Sequence, residues 1–182
     1  LPQLVIGPDY ESALTAQSPE RDFAPRSDDD RYILFTGGTT GMPKGVIWGH
    51  KNVCFALGGG IDVRSGELVQ EPTEFLEKGR NGFHLVSYPL PPLMHGASQW
   101  AVMGQSFIGN TTVLRAGFDP VEVWRTIAAE KVNLIMLTGD AMARPLLDAL
   151  ADKSTGVSDL DLSSLFVLSS SAVLFSQTCK DE

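Results

Sequence analysis

Between residues 83 and 168 the sequence alternates short, β-prone apolar runs with longer stretches of helical periodicity, and this alternation constrains the fold more than any other feature. Strands are expected over 83–88, 111–114, 132–137 and 165–168, with helices over 94–107, 121–131 and 140–151 between them. Such repetition predicts βαβ units, hence an α/β fold with a largely parallel sheet flanked by helices. The helix after Asp119 has the clearest start. Asp119 serves as N-cap, Pro120 takes the first helical position, Glu122 completes a capping-box-like signal, and Val123 and Ile127 share one face. Pro145 removes a backbone donor from the last helix and predicts a kink or a delayed start there.

Upstream, Tyr-Ile-Leu-Phe at 32–35 has the profile of a buried strand, and Val46, Ile47 and Trp48 form a second short apolar run. A helix is expected after His50, ending at the glycines of 58–60. Residues 7–31, rich in Pro, Ser, Asp and Arg, read as a solvated surface segment. Residues 61–82, punctuated by Gly66, Pro72, Gly79 and Gly82, read as a long surface excursion with one helical turn around Phe75.

The chemistry is concentrated directly behind the 32–35 strand, in Thr36-Gly37-Gly38-Thr39-Thr40-Gly41-Met42-Pro43-Lys44-Gly45-Val46. Glycines let a backbone approach a ligand closely and turn its N–H groups inward as an anion nest. Thr39 and Thr40 add hydroxyl donors, Lys44 adds a compact cation, and Pro43 restricts Met42 to extended conformations and so stiffens the arm that carries the charge. A polyphosphate would satisfy all of these groups. The loop is not a Walker A motif, because Lys44 follows Pro43 and precedes Gly45 where that motif needs Gly-Lys-Ser/Thr.

Composition narrows the partners. A chain of 182 residues with 43% hydrophobic and 20% charged residues buries a real core, and a formal charge of -8 disfavours nucleic acid or an anionic membrane as partner. Cys54 and Cys179, far apart, indicate neither a disulfide framework nor a zinc site, and no metal ligands are assigned. No apolar run reaches the roughly 20 residues a membrane span needs, and the first residues lack a signal-peptide pattern, so a cytoplasmic location is the default. The chain opens on Leu1 and stops at Glu182 without a finished element, and we expect a fragment cut at both ends.

Residues 35–46 closely resemble the phosphate-binding motif of the adenylate-forming superfamily, which includes acyl-CoA synthetases, peptide-synthetase adenylation domains and luciferases. One departure is Gly37, where many members carry Ser; the change removes a hydroxyl contact to phosphate, and some actinobacterial fatty acyl-CoA synthetases look alike here. Pro-Leu-Pro-Pro-Leu-Met-His-Gly at 89–96 is similar to the family segment whose His or aromatic residue lies between ATP and the acyl pocket, which implies a gating, substrate-side role for His95. Ser169, Ser170, Ser171 and Ala172 resemble the turn under adenine, although members commonly have Gly at the positions of Ser170 and Ser171. An ordinary polar turn is the alternative there. Thr138-Gly139-Asp140 spells the family's ribose-binding tripeptide but precedes the adenine segment instead of following it, so we read it as a helix N-terminus.

The resemblance implies a lead-in over 1–30 and, over 31–182, part of the large N-terminal nucleotide-binding domain. It implies ATP-dependent activation of a fatty or other bulky carboxylic acid as acyl-adenylate, followed by transfer to coenzyme A, with Mg²⁺ on the phosphates. Lys44 and His95 are the implied catalytic residues; Thr36, Gly37, Gly38, Thr39, Thr40, Gly41, Lys44, Ser170, Ser171 and Ala172 are the implied nucleotide contacts. The family's Thr-Glu motif, ribose-binding Asp, hinge and small-domain Lys have no counterpart in this sequence, so turnover by this chain alone is not expected. A homo-oligomer is left open. The alternatives are an adenylation domain that loads a carrier protein and a non-catalytic nucleotide-binding module.

Overall fold

The alternation resolves, in the computed structural model, into a four-stranded sheet in the order β4-β3-β5-β6 with every neighbouring pair parallel. The structure describes residues 7–37, 41–57 and 68–182. The strands are β3 (Val86–Pro89), β4 (Thr111–Thr112), β5 (Leu134–Leu137) and β6 (Val167–Ser170). Their crossovers run through α4 (Gly96–Phe107), α5 (Pro120–Glu130) and α6 (Asp140–Ala151). Before them come α1 (Pro8–Thr15), an antiparallel hairpin of β1 (Arg31–Thr36) and β2 (Lys44–Gly49), α2 (His50–Leu57) and α3 (Thr73–Asn81); α7 (Gln177–Asp181) closes the order.

The core lies between β5 and the helices α5 and α6. Ile127, Val132, Ile135, Leu137 and Val157 are completely excluded from solvent, each worth roughly 1.5–3 kcal/mol of burial. Trp124 is anchored as well as buried, its indole N–H donating to the Leu146 carbonyl at 2.8 Å. Asn133 ties three strand entrances together. Its Oδ1 accepts from the Val86 N–H (2.8 Å), its Nδ2 donates to the Ser164 carbonyl (3.1 Å) and its own carbonyl accepts from Phe166 and Val167.

Local signals behave as local physics requires. Asp119 Oδ1 accepts from the Glu122 N–H at 2.9 Å, capping α5, while the Glu122 carboxylate turns to Arg125 (2.7 Å) instead of closing a reciprocal box. α6 starts at Asp140 and runs through Pro145 as one helix. α4 begins at Gly96, two residues later than expected, because His95 is extended (φ −83°, ψ 133°) and forms the N-cap. α3 spans nine residues instead of one turn: Pro72 and Gly82 flank it as caps, and the glycine inside it, Gly79, packs where a Cβ would stand 2.7 Å from the Ile108 carbonyl oxygen. α1 is a helix within the segment read as solvated surface, with Pro8 near its start and Asp9 and Glu11 in its first turn. The glycines expected to end α2 at 58–60 lie outside the described residues.

A further expectation fails, that of burial at 32–35. The 32–35 run is a strand but not a buried one: Tyr32 and Leu34 are half-buried while Ile33 and Phe35 are 49% and 65% exposed. The reason is topological, since among the described residues β1 pairs only with β2 and the hairpin forms a separate two-stranded sheet.

Candidate functional site

In a parallel sheet the segments that leave the strands emerge at one edge, the carboxyl edge, where open α/β sheets place ligands. Here β3 leads to His95, β5 leads to Thr138-Gly139-Asp140, and β6 leads to Ser171 and Ala172.

The β1–β2 hairpin, whose connection holds the glycine-rich sequence, packs beside this edge. Thr36 and Lys44 are register partners that close residues 37–43 into a loop, and Thr36 Oγ1 donates to the Lys44 carbonyl at 3.3 Å. Gly37, Gly41 and Lys44 are exposed, whereas Gly38, Thr39 and Thr40 lie outside the described residues. A strand–loop–strand arrangement separates this loop from P-loop geometry, in which a helix N-terminus receives the phosphates.

The hairpin is seated on the first turn of α4. Tyr32 Oη donates to Gln99 Oε1, and Leu34 fills the space beside Gly96, where a Cβ would sit 2.3 Å from Leu34 Cδ2. Trp48 of β2 meets Trp100 of α4 edge to face, ring centroids 5.4 Å apart. These contacts bring the base of the loop to the helix end that carries His95, uniting two motifs read separately in the sequence.

His95 is exposed and its imidazole does not cap α4. Its backbone is held on both sides, the N–H donating to the Pro92 carbonyl (2.9 Å) and the carbonyl accepting from Gln99 (3.1 Å). The proline-rich segment before it is fixed from below by Ser98, fully buried, whose Oγ donates to the Pro91 carbonyl at 2.7 Å.

At the end of β6 the serines part company. Ser170 Oγ accepts from the Gly139 N–H at 2.9 Å, while Ser171 and Ala172 are exposed and Ala172 adopts a left-handed φ of 69°. A cleft of about 710 Å³ lies alongside, lined by Leu147, Leu168, Ser170, Val173, Phe175 and Cys179 among others; Ser170 alone of the sequence-predicted residues lines it. Among the described residues no group of three or more His, Cys, Asp or Glu side chains is gathered to hold a metal ion, and no helix is long and apolar enough to cross a membrane.

The pairings of Tyr32, Gln99, Gly139, Asp140 and Ser176 are not legible in the sequence, which offers Gly139 and Asp140 only as a helix N-terminus and Tyr32 only as part of a strand. Their partners lie 31 to 67 residues away, beyond the reach of any local pattern.

The chain belongs to the AMP-binding enzyme family, whose model matches residues 4–181. It is 51% identical over 177 residues to 3-oxocholest-4-en-26-oate–CoA ligase of Rhodococcus rhodochrous, covering 96% of this chain and 32% of that protein. It is 38% identical to the medium-chain acyl-CoA ligase Mig of Mycobacterium avium, covering 94% of this chain and 31% of the relative. The chain therefore spans about a third of the length of these relatives. Among solved structures, the inhibitor-bound N-terminal domain of FACL13 from Mycobacterium tuberculosis shares the fold, with a TM-score of 0.72 at 18% identity over 95% of this chain and 38% of that one.

Proposed function

We propose that this chain is the phosphate-gripping portion of an ATP-dependent, AMP-forming acyl-CoA ligase. The observation that carries the reading is the Thr36–Lys44 hairpin seated on the helix that bears His95, at the carboxyl edge of the sheet. The identity to CoA ligases over nearly the whole chain supports it.

In this reading a substrate carboxylate attacks the α-phosphorus of ATP, the acyl-adenylate forms and pyrophosphate leaves; coenzyme A then takes the acyl group as thioester. Catalysis of this kind rests on positioning and charge neutralisation, so Lys44 and the amides of 36–41 would stabilise the charge developing on the β- and γ-phosphates. His95 would stand between nucleotide and acid, and Ser171 and Ala172 would lie against the base. Mg²⁺ would arrive on the phosphates, since the described residues gather no cluster of carboxylates to hold it. The acid is a fatty or other bulky one, in keeping with the steroid-acid and medium-chain relatives. Residues 1–30 form the lead-in and 31–182 part of the nucleotide-binding domain of a longer cytoplasmic protein.

The test is ATP–pyrophosphate exchange with a panel of carboxylic acids, run on this chain and on the longer polypeptide that carries it. Exchange by the longer protein, dependent on a bulky acid, is the expected result; exchange by neither, with any acid, would overturn the assignment.

A further inference from the structure

Thr138-Gly139-Asp140 lies where β5 ends, level with the turn that leaves β6. Starting α6 requires none of the bonds its groups make to that turn. The Gly139 N–H donates to Ser170 Oγ at 2.9 Å, the Asp140 N–H donates to the Leu174 carbonyl at 3.0 Å, and Asp140 Oδ1 accepts from the Ser176 N–H at 2.8 Å. Just before it, the Leu137 carbonyl accepts from the Ser171 N–H at 3.2 Å. The last residue of β6, Ser170, and three residues of the turn after it, Ser171, Leu174 and Ser176, are thus gripped by a segment more than thirty positions away.

Shape reinforces the grip. Gly139 has φ 53°, and a Cβ there would stand 2.2 Å from the Leu174 carbonyl oxygen and 2.7 Å from that of Val173, both backbone atoms that cannot swing aside. Glycine is needed for the approach as much as for the dihedral. On the other side Ala172 is held left-handed, a conformation that persists in a non-glycine residue only where its surroundings over-determine it. The Ser176 N–H also holds the Asp140 carboxyl below the usual aspartate range, so the acceptor is ionised at neutral pH.

We infer that Gly139 and Asp140 form a positioning platform that sets the conformation of the 171–176 turn and, through it, the affinity for the base of the nucleotide. The inference rests on the reading of that turn as the base side of the site. Ser170 then acts inward as part of the platform, leaving Ser171 and Ala172 to face the ligand.

The experiment compares AMP and inorganic pyrophosphate binding in the longer polypeptide that carries this chain, using Asp140→Ala, Asp140→Asn and Gly139→Ala beside Lys44→Ala. Amide exchange at Ser176 is followed in parallel. Asp140→Ala is expected to speed exchange at Ser176 and to weaken AMP about tenfold or more while pyrophosphate binding stays unchanged, because pyrophosphate has no base. Asp140→Asn, which keeps an acceptor oxygen, should restore both. Gly139→Ala should act in the same direction, and thermal unfolding identifies it if it fails to fold. Unchanged Ser176 exchange in Asp140→Ala, or an equal loss of AMP and pyrophosphate, would overturn the platform. Lys44→Ala separates the two readings: if it leaves pyrophosphate binding intact, or if the unsubstituted protein binds no AMP, the site assignment fails and the platform's role falls with it.

Discussion

Lys44 is exposed at the first position of β2, opposite Thr36, so in the proposed reading it would meet phosphate as a solvated cation on the surface. Its removal leaves no hole in a core. Lys44→Ala in the adenylating protein is therefore expected to lower pyrophosphate exchange by about 100-fold, the usual effect of deleting one charge-stabilising donor, with no change in thermal midpoint. Gly37 offers the opposite experiment. A Cβ at Gly37 meets nothing within 4 Å among the described residues, so a side chain fits there without displacing them. Gly37→Ser supplies one hydroxyl donor to an anionic ligand and should tighten pyrophosphate binding by about tenfold or more, measurable by calorimetry. Weaker binding would show that the hydroxyl does not face the phosphates.

At the scale of elements, α4 organises the amino-terminal half. It carries His95 at its head, takes the hairpin on its first turn, and receives the end of α2 at Gly104, where a Cβ would lie 2.4 Å from the Leu57 carbonyl oxygen. Because that obstacle is backbone, α2 as a whole must move. Gly104→Ala is expected to destabilise the fold by about 1–3 kcal/mol, as overpacking does, and urea unfolding will check it. A neutral result would mean that α2 is free to slide. The contrast with Gly96 is instructive, since the atom a Cβ would meet there is the tip of the Leu34 side chain, which has other rotamers available.

For the whole molecule, four carboxylates act in one direction. Asp140, Asp152, Asp161 and Glu182 are all held below their ordinary values, Asp161 by Lys131 at 2.8 Å and by Ser163, Glu182 by Arg144 at 2.7 Å. A carboxyl with a lower pKa when folded contributes stability that is complete above its unfolded value and disappears as pH falls through the folded one. The thermal midpoint should accordingly hold from neutral pH down to about 5 and decline below about 4. Asp161→Asn should flatten that decline; an undiminished acid transition would show that these bonds do not form in solution.

What the sequence determined is what depends on near neighbours along the chain. The Asp119 cap, the start of α6 at Asp140, the order of strands and helices and the glycine-threonine loop behind a strand all follow from spacing and from which φ a residue tolerates. Tertiary structure decided the rest, because an apolar residue announces that it can be buried and not whether anything arrives to cover it. Ile33 and Phe35 stand exposed for that reason, while Phe75, in a polar stretch rich in helix breakers, is buried near Phe55, the ring centroids 5.8 Å apart. Likewise no local pattern joins Gly139 to Ser170, Asp140 to Ser176, or Tyr32 to Gln99: those pairings exist only once parallel strands bring their exits to one edge and the hairpin settles on α4.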